Sequence, residues 1–476
     1  MSAMTLTVTL EEVLAATGGR LVQSSLKAGV LNGITTDSRN VPPGSLFIGV
    51  PGERFDGSDY AAKAAEAGAA AVIVSQEKAS AVAKEASKAA VIGAESTVRA
   101  LGLLARWHRR RMQARIVAVT GSNGKTTTKE MIAAALSQSG TTLATAGNLN
   151  NEIGAPLTVL GLREQHRHGV IEIGMNHEGE IGRLTAMAEP HVGVVTMVAA
   201  VHTEALGGIE GVARAKAELY HGLPLDGVAV ANTDDPLMRE RARWAGRKTM
   251  WFGTADSADV RLVRIASHDR RGLSCVLRVL GEERTLQLPV VGAHNAMNAC
   301  AAIAAALAVG APLDSILRGL FNARPPGRRL RLSPIPELDA TLLDDSYNAN
   351  PSSAEAALRT LTALTPEGHR VAVLGDMREL GASEVAGHRA VGAAAAQSGL
   401  KLLVAFGPVS AHLAAGAVEG GLAPGRVFHT EDPQAAAARV RSALTAGDLV
   451  LVKASRGTRL ERVADLLVPP APGESH

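Results

Sequence analysis

The stretch "VAVTGSNGKTTTKE", residues 117–130, passes from an apolar strand-like run into a helix-like one through Gly121-Ser122-Asn123-Gly124-Lys125-Thr126. Residues of these types at this spacing suit one task. A glycine turn and a helix N-terminus aim backbone N–H groups at an anion. Lys125 can reach β- and γ-phosphate oxygens, and the Thr126 hydroxyl can meet Mg²⁺. Gly121 stands three positions before Gly124, whereas the common phosphate loop has four residues between its first glycine and its Gly-Lys pair. The loop is therefore a short form. An ordinary strand–helix turn is the competing reading, and the strand before and helix after favour the phosphate loop.

Four other stretches carry groups of the right chemistry. Glu172, in "VIEIGMNHEGEIG", ends an apolar strand. At that edge of a parallel sheet it can hold Mg²⁺ or simply face solvent, and the spacing leaves both open. His202, in "VTMVAAVHTEALGG", follows another such strand. Magnesium prefers oxygen, so on spacing alone His202 reads as a packed or capping histidine. Lys216, in "ARAKAELYHGLP", reads unaided as a surface lysine on a helix. Asn295 and Asn298, in "GAHNAMNAC", share one helical face. Their amides suit an adenine edge and a helix cap equally.

The elements that must position these groups follow an α/β pattern. Residues 1–94 hold short strand-like runs, "GSLFIGV" and "AAAVIV", around an alanine-rich helix, a small N-terminal α/β domain. Residues 95–325 form a central domain. Its strands "RIVAVTG", "GVIEIG", "VGVVTMV" and "GVAVAN" are nearly continuous apolar runs separated by helix-length segments, which predicts a parallel sheet covered on both faces. "LSCVLRVLGEERTLQLPV" adds an antiparallel hairpin turning at Gly281 and Glu282. "RPPGRR" is linker-like, and residues 326–476 form a second doubly wound α/β domain with "ATLLDDSYN", "HRVAVLGDM", "KLLVAFG" and "DLVLVKASRG" as strands. The helix before the phosphate loop carries "WHRRR", which reads as a solvated helix face.

Composition excludes several classes. With 476 residues, at roughly 150 per domain, about three domains are expected. The balance of 49 basic against 46 acidic residues, with 3% aromatics, gives no case for nucleic acid. Cys275 and Cys300 lack metal-ligand spacing and suit a reduced interior. The N-terminus has no basic n-region, and the longest apolar run, "ACAAIAAALAVGAPL", is shorter than the roughly 20 residues of a membrane span. A monomer in the cytoplasm, with no membrane insertion, is the expectation.

The short phosphate loop is followed by "GNLNNEIGAP", "IEIGMNHEGEI", "AKAELY", "GAHNAMNA", "PPGR", "LLDDSYNANP", "LGDMREL" and "VKASRG", and preceded by "TTDSR" and "GSLFIGVPGERFDG". In kind and order these motifs resemble the Mur ligase family over nearly the whole chain. The resemblance implies a UDP-binding N-terminal domain, a central ATPase domain and a Rossmann-like C-terminal ligase domain. It implies ATP and Mg²⁺ as cofactors. It places Asp37, Ser38 and Arg39 at the UDP end of a substrate, and Gly121, Ser122, Asn123, Gly124, Lys125, Thr126 and Thr127 on ATP phosphates. Asn150 and Asn151 would lie by the muramoyl-peptide. Glu172 and His202, with Thr126, match Mg²⁺ ligands, and Lys216 matches a lysine that the family N-carbamoylates. Asn295 and Asn298 would face adenine, while Arg328, directly followed by Arg329, and Asp345 would close over ribose and phosphates. Asn348, Asn350, Ser455 and Arg456 are candidates for an acceptor site.

Among family activities, the motifs are most similar to the one that joins D-alanyl-D-alanine to UDP-N-acetylmuramoyl-tripeptide through an acyl phosphate. The alternatives are another Mur ligase, a folylpolyglutamate synthase-like ligase, or a phosphate-loop NTPase switch. The diaminopimelate-adding member carries a "DNPR"-type run in its last domain, and this chain has "GDMREL" and "NANP" instead.

Overall fold

The computed structural model describes residues 4–24, 29–52, 54–199, 206–325, 327–336, 338–365 and 369–470. Three sheets organise them into a three-domain α/β fold. The first contains β1 (Met4–Thr9), β2 (Arg20–Gln23), β3 (Val30–Thr35), β4 (Leu46–Ile48), β5 (Ala71–Ser75) and β6 (Ala90–Ala94), in the order β1-β3-β4-β5-β6-β2. Its interior pairs are parallel and its two edge strands antiparallel.

The second sheet contains β7 (Arg115–Thr120), β8 (Thr142–Ala144), β9 (His168–Glu172), β10 (Val192–Val195), β11 (Val228–Asn232), β12 (Lys248–Gly253), β13 (Val260–Asp269), β14 (Gly272–Val279) and β15 (Glu282–Leu288). Their order is β15-β14-β13-β12-β11-β10-β7-β9-β8. Pairing is parallel from β8 to β13 and antiparallel beyond. Side-chain alternation explains the apolar runs: Ile116 and Ala118 enter one core, Val117 and Val119 the other. The β14–β15 hairpin turns at Leu280 and Gly281, both at positive φ (50° and 93°), the conformation of a tight two-residue hairpin turn. β13 escapes the sequence reading because it is half exposed and interrupted by Arg261 and Arg264.

The third sheet contains β16 (Arg331–Ile335), β17 (Ala340–Asp344), β18 (Arg370–Gly375), β19 (Leu400–Phe406), β20 (Val427–Thr430) and β21 (Leu449–Lys453). The order is β16-β17-β21-β18-β19-β20, parallel except for β16. Ala372 and Leu374 face one core and Val371 and Val373 the other, so helices cover both sides.

The helix Thr97–Arg110 corrects one expectation. Its "WHRRR" run is a solvated face only in part, at the exposed Arg110 and Arg111. His108 and Arg109 are buried, and the Arg109 Nε donates to Ala188 O at 3.0 Å. Arg106 and Arg110 both pair with Glu189, and Arg111 pairs with Glu12 of the N-terminal domain. Leu101 and Leu104, on its apolar side, join a core shared by the first two domains. The helix has neighbours on both sides, which one-sided periodicity does not reveal. Among the described residues no helix is long and apolar enough to cross a membrane.

Candidate active site

β7 and β10 are neighbours whose following connections run in opposite directions, from β7 towards β8 and from β10 towards β11. Ligands of open α/β sheets bind in the crevice at such a point, beyond the strand C-termini. The register brings three groups there. Glu172 pairs with Val119, and Val195 with Thr120, so Glu172 and Thr196 flank the start of the phosphate loop.

The loop is built around two glycines at positive φ, Gly121 at 151° and Gly124 at 81°. A side chain at Gly121 would run into Thr196 Oγ1, and one at Gly124 into Asn298 Oδ1. The short loop is thus packed against β10 and the Asn-bearing helix His294–Ala308. Thr196 Oγ1 donates to Asn123 O at 2.6 Å, and Ser122 N donates to Met197 O at 2.9 Å. Gly124 caps the helix Lys125–Ser137, whose N-terminus faces the crevice. Lys125 Nζ donates to Gly121 O at 2.7 Å, curled over the loop where an anion would lie.

Glu172 is 1% exposed. Its Oε1 accepts from Thr126 Oγ1 at 3.2 Å and from Asn150 Nδ2 at 2.8 Å, and its backbone N–H donates to Thr145 Oγ1. Its Oε2 is buried with no hydrogen-bond partner. A buried carboxylate oxygen without a partner is costly, and a hard cation would satisfy it. Among the described residues no three His, Cys, Asp or Glu side chains gather into a ready cage. Mg²⁺ takes one or two protein oxygens and fills its shell with water and phosphate. Thr126 and Glu172 are such a pair. His202 lies outside the described residues.

Lys216 is 3% exposed, on the helix Ile209–His221, which overturns its reading as a surface lysine. Burial pushes its amine well below the usual lysine range, and nearby Lys125 adds to the shift.

The C-terminal domain supplies the opposite wall. Lys453, at the end of β21, bonds Asp345 Oδ2 at 2.6 Å and Asn348 O at 2.8 Å. Asp345 Oδ1 accepts from Leu330 N. Arg329 stacks on the Tyr347 ring at 4.1 Å and donates to Thr126 Oγ1 at 3.1 Å. Arg456 lies over the same ring at 5.3 Å and donates to the Tyr347 hydroxyl. Arg328, the sequence-based choice, points elsewhere: it bonds Asp344 at 2.9 Å and Asp465 at 2.6 Å. Two consecutive arginines in an irregular segment diverge, and only the backbone path decides which meets the crevice.

These walls enclose a cleft of about 790 Å³. Ser122, Asn123, Gly124, Lys125, Thr126, Thr127, Asn150, Glu172, Asn295, Asn298, Asp345, Asn348, Asn350, Ser455 and Arg456 line it, all singled out in the sequence. Asn298 donates to Asn295 Oδ1, and Asn295 Nδ2 donates to Val291 O, so part of each amide braces the helix start. Asn151 Oδ1 instead accepts from Ile153 N and Gly154 N, in the turn that leads into the helix Gly154–Leu160. Asp37, Ser38 and Arg39 form a turn after β3, apart from the residues lining the cleft. There Arg39 grips Asp37 with two bonds of 2.9 and 3.0 Å. Lining residues not singled out include Arg329, Tyr347, Lys453, Arg378 and Thr196. Thr196 and Lys453 end or follow parallel strands, the position that carried the choice of Glu172.

Three family models match in order: "Mur ligase family, catalytic domain" at residues 30–109, "Mur ligase middle domain" at 119–306 and "Mur ligase, glutamate ligase domain" at 329–456. The UDP-N-acetylmuramoyl-tripeptide–D-alanyl-D-alanine ligase of Escherichia coli (strain K12) is 38% identical over 470 residues, covering 97% of this chain and 98% of that protein. The chain belongs to the Mur ligase family. The enzyme of the same name from Bacillus subtilis (strain 168) is 36% identical over 97% of this chain and 99% of its own length. A crystal structure of MurF from Acinetobacter baumannii superposes with a TM-score of 0.86 at 32% identity, over 97% of this Mur ligase and 99% of that chain. MurF from Thermotoga maritima, in complex with ADP, gives 0.80 at 26% identity over 91% and 96%.

Proposed function

We infer that this protein is an ATP-dependent ligase that joins D-alanyl-D-alanine to UDP-N-acetylmuramoyl-tripeptide, a step of peptidoglycan synthesis carried out in the cytoplasm. The observation that carries the reading is the cleft itself. It sets a phosphate loop and a buried carboxylate on one domain against a cationic, amide-rich wall on another. A nucleotide switch needs the first wall only. The full-length likeness to two ligases of that name selects among family activities.

A carboxylate acylates poorly because its leaving group would be oxide. Phosphorylation of the tripeptide's terminal carboxylate by ATP turns that group into phosphate. The dipeptide amine then attacks the acyl carbon, phosphate leaves, and an amide remains. Lys125 and the loop N–H groups hold negative charge as it shifts between oxygens, a preorganised stabilisation that water lacks. Arg329 adds a cation from the facing domain. Thr126, Glu172, His202 and a carbamate on Lys216 are the residues we assign to Mg²⁺, which supplies charge neutralisation at the phosphates. Asn150 fixes the Glu172 carboxylate. Asn295 and Asn298 are assigned to adenine, Asp345 to the nucleotide, and Asn348, Asn350, Ser455 and Arg456 to the acceptor. Asp37, Ser38 and Arg39 are assigned to the uridine end. We take 1–94, 95–325 and 326–476 as the three units that carry these roles.

The test is phosphate release from ATP with each substrate alone and with both, alongside mass analysis of the product. Release that needs both, with a product heavier by one D-alanyl-D-alanine less water, is expected. Turnover indifferent to the dipeptide would overturn the reading and favour a nucleotide switch.

A further inference from the structure

Asn123, in the middle of the phosphate loop, is tied to the helix Pro351–Leu364 of the facing domain by a closed ring of hydrogen bonds. Asn350 Nδ2 donates to Asn123 Oδ1 at 2.8 Å. Asn123 Nδ2 donates to Ser352 Oγ at 2.9 Å. The Ser352 hydroxyl donates to Asn350 Oδ1 at 2.9 Å. Two of these three bonds cross between domains. Each end is also braced from its own side. Asn123 O accepts from Thr196 at 2.6 Å, and Asn350 Oδ1 accepts from Ser353 N at 2.9 Å as the cap of its helix. Reversing the Asn123 amide would set two donors face to face, so the ring closes in one sense only.

We propose that this ring is the latch that holds the central and C-terminal domains together while the acyl phosphate exists, with Ser352 as its positioning residue. The proposal rests on the ligase reading above. Neutral bonds at an exposed rim are individually weak, so such a latch can release once per turnover. It grips the loop at the residue between Ser122 and Gly124, so the loop and the acceptor wall keep one spacing. The chemistry requires that spacing. With the domains apart, water reaches the acyl phosphate: its oxygen attacks the acyl carbon, the bond to phosphate breaks, the carboxylate is restored and a proton passes to solvent. ATP is then consumed with no amide formed.

The experiment counts ADP formed per amide formed in full-length protein with both substrates saturating, for wild type, Ser352→Ala, Asn123→Ala and Ser352→Thr. The wild type is expected to give a ratio near one. Losing one bond of this kind moves a closed–open equilibrium by about fivefold. Ser352→Ala, which removes one interdomain bond, should therefore raise the ratio at least about twofold, Asn123→Ala, which removes both, should raise it at least as much, and Ser352→Thr, which keeps the hydroxyl, should leave it near one. Variants that are slower at an unchanged ratio would overturn the latch, because loss of mere scaffolding lowers both products together. So would variants that match the wild type. A wild type that makes no amide would sink the ligase reading, and the latch with it; coupled variants of an active wild type sink the latch alone.

Discussion

Thr126 Oγ1 donates to Glu172 Oε1 at 3.2 Å, so the first turn after the phosphate loop and the end of β9 share one buried carboxylate. Lys125 projects from the residue beside that bond and curls over the loop carbonyls at Gly121 and Ser122. Lys125→Ala removes the cation at the transferring phosphoryl group. A loss of ligation on the order of 10²-fold or more is expected. Steady-state rates, with circular dichroism to show that the variant is folded, check it, and near-normal turnover would refute the phosphate-loop assignment.

Arg328 and Arg329 should separate cleanly. Arg328 binds Asp344 and Asp465 and is mostly buried, so Arg328→Ala should lower stability by about 2 kcal/mol in urea melts and change kcat little. Arg329→Ala should leave the urea midpoint nearly unchanged and cut kcat at least about tenfold, by removing a cation that touches Thr126. The opposite pattern would return the catalytic role to Arg328.

Arg39→Ala should weaken binding of the UDP-linked substrate more than that of ATP, since its turn lies apart from the cleft. Calorimetric titration of each ligand decides it, and equal losses would argue against a separate uridine site. The same variant has a pH signature. Two side-chain bonds and the backbone N–H of Arg39 hold the Asp37 carboxyl down to about 2, from an ordinary 3.8. A carboxyl depressed by folding contributes stability that is complete above its ordinary value and is lost as pH falls toward about 2. In Arg39→Ala the Asp37 carbon resonance should titrate nearer 3.8.

Lys216 is expected to carry a carbamate, formed when its neutral amine attacks CO₂. An exposed lysine near pKa 10.4 is almost wholly protonated at pH 7. Burial and Lys125 push the Lys216 amine far below that, which makes the attack feasible. Lys216→Ala should impair catalysis more than ATP binding, and acetate should partly restore activity beside a chloride series of equal ionic strength. Full activity of the variant without added acid would sink the carbamate.

Local chemistry is what the chain carries openly. The apolar runs of β7, β9 and β10 and the glycines at 121 and 124 are recognisable because each depends on neighbours close in sequence: a strand buried on both faces must be apolar, and a tight turn at positive φ favours glycine. From these, the sheet type and the phosphate loop were legible, whereas the cleft residues of the C-terminal domain, such as Asp345, Asn348, Asn350, Ser455 and Arg456, were reached only through the resemblance to the family. The relation between distant segments was not. Whether Arg328 or Arg329 meets Thr126 depends on the path of an irregular linker. Whether Lys216 is exposed depends on what packs over its helix, and the partners of "WHRRR" lie on Glu189 and Glu12, far along the chain in both directions. Burial and charge pairing are properties of three-dimensional neighbourhoods. The tertiary structure buried a lysine that its local sequence leaves at the surface, and set one of two like arginines in a pair of ion pairs and the other at the cleft.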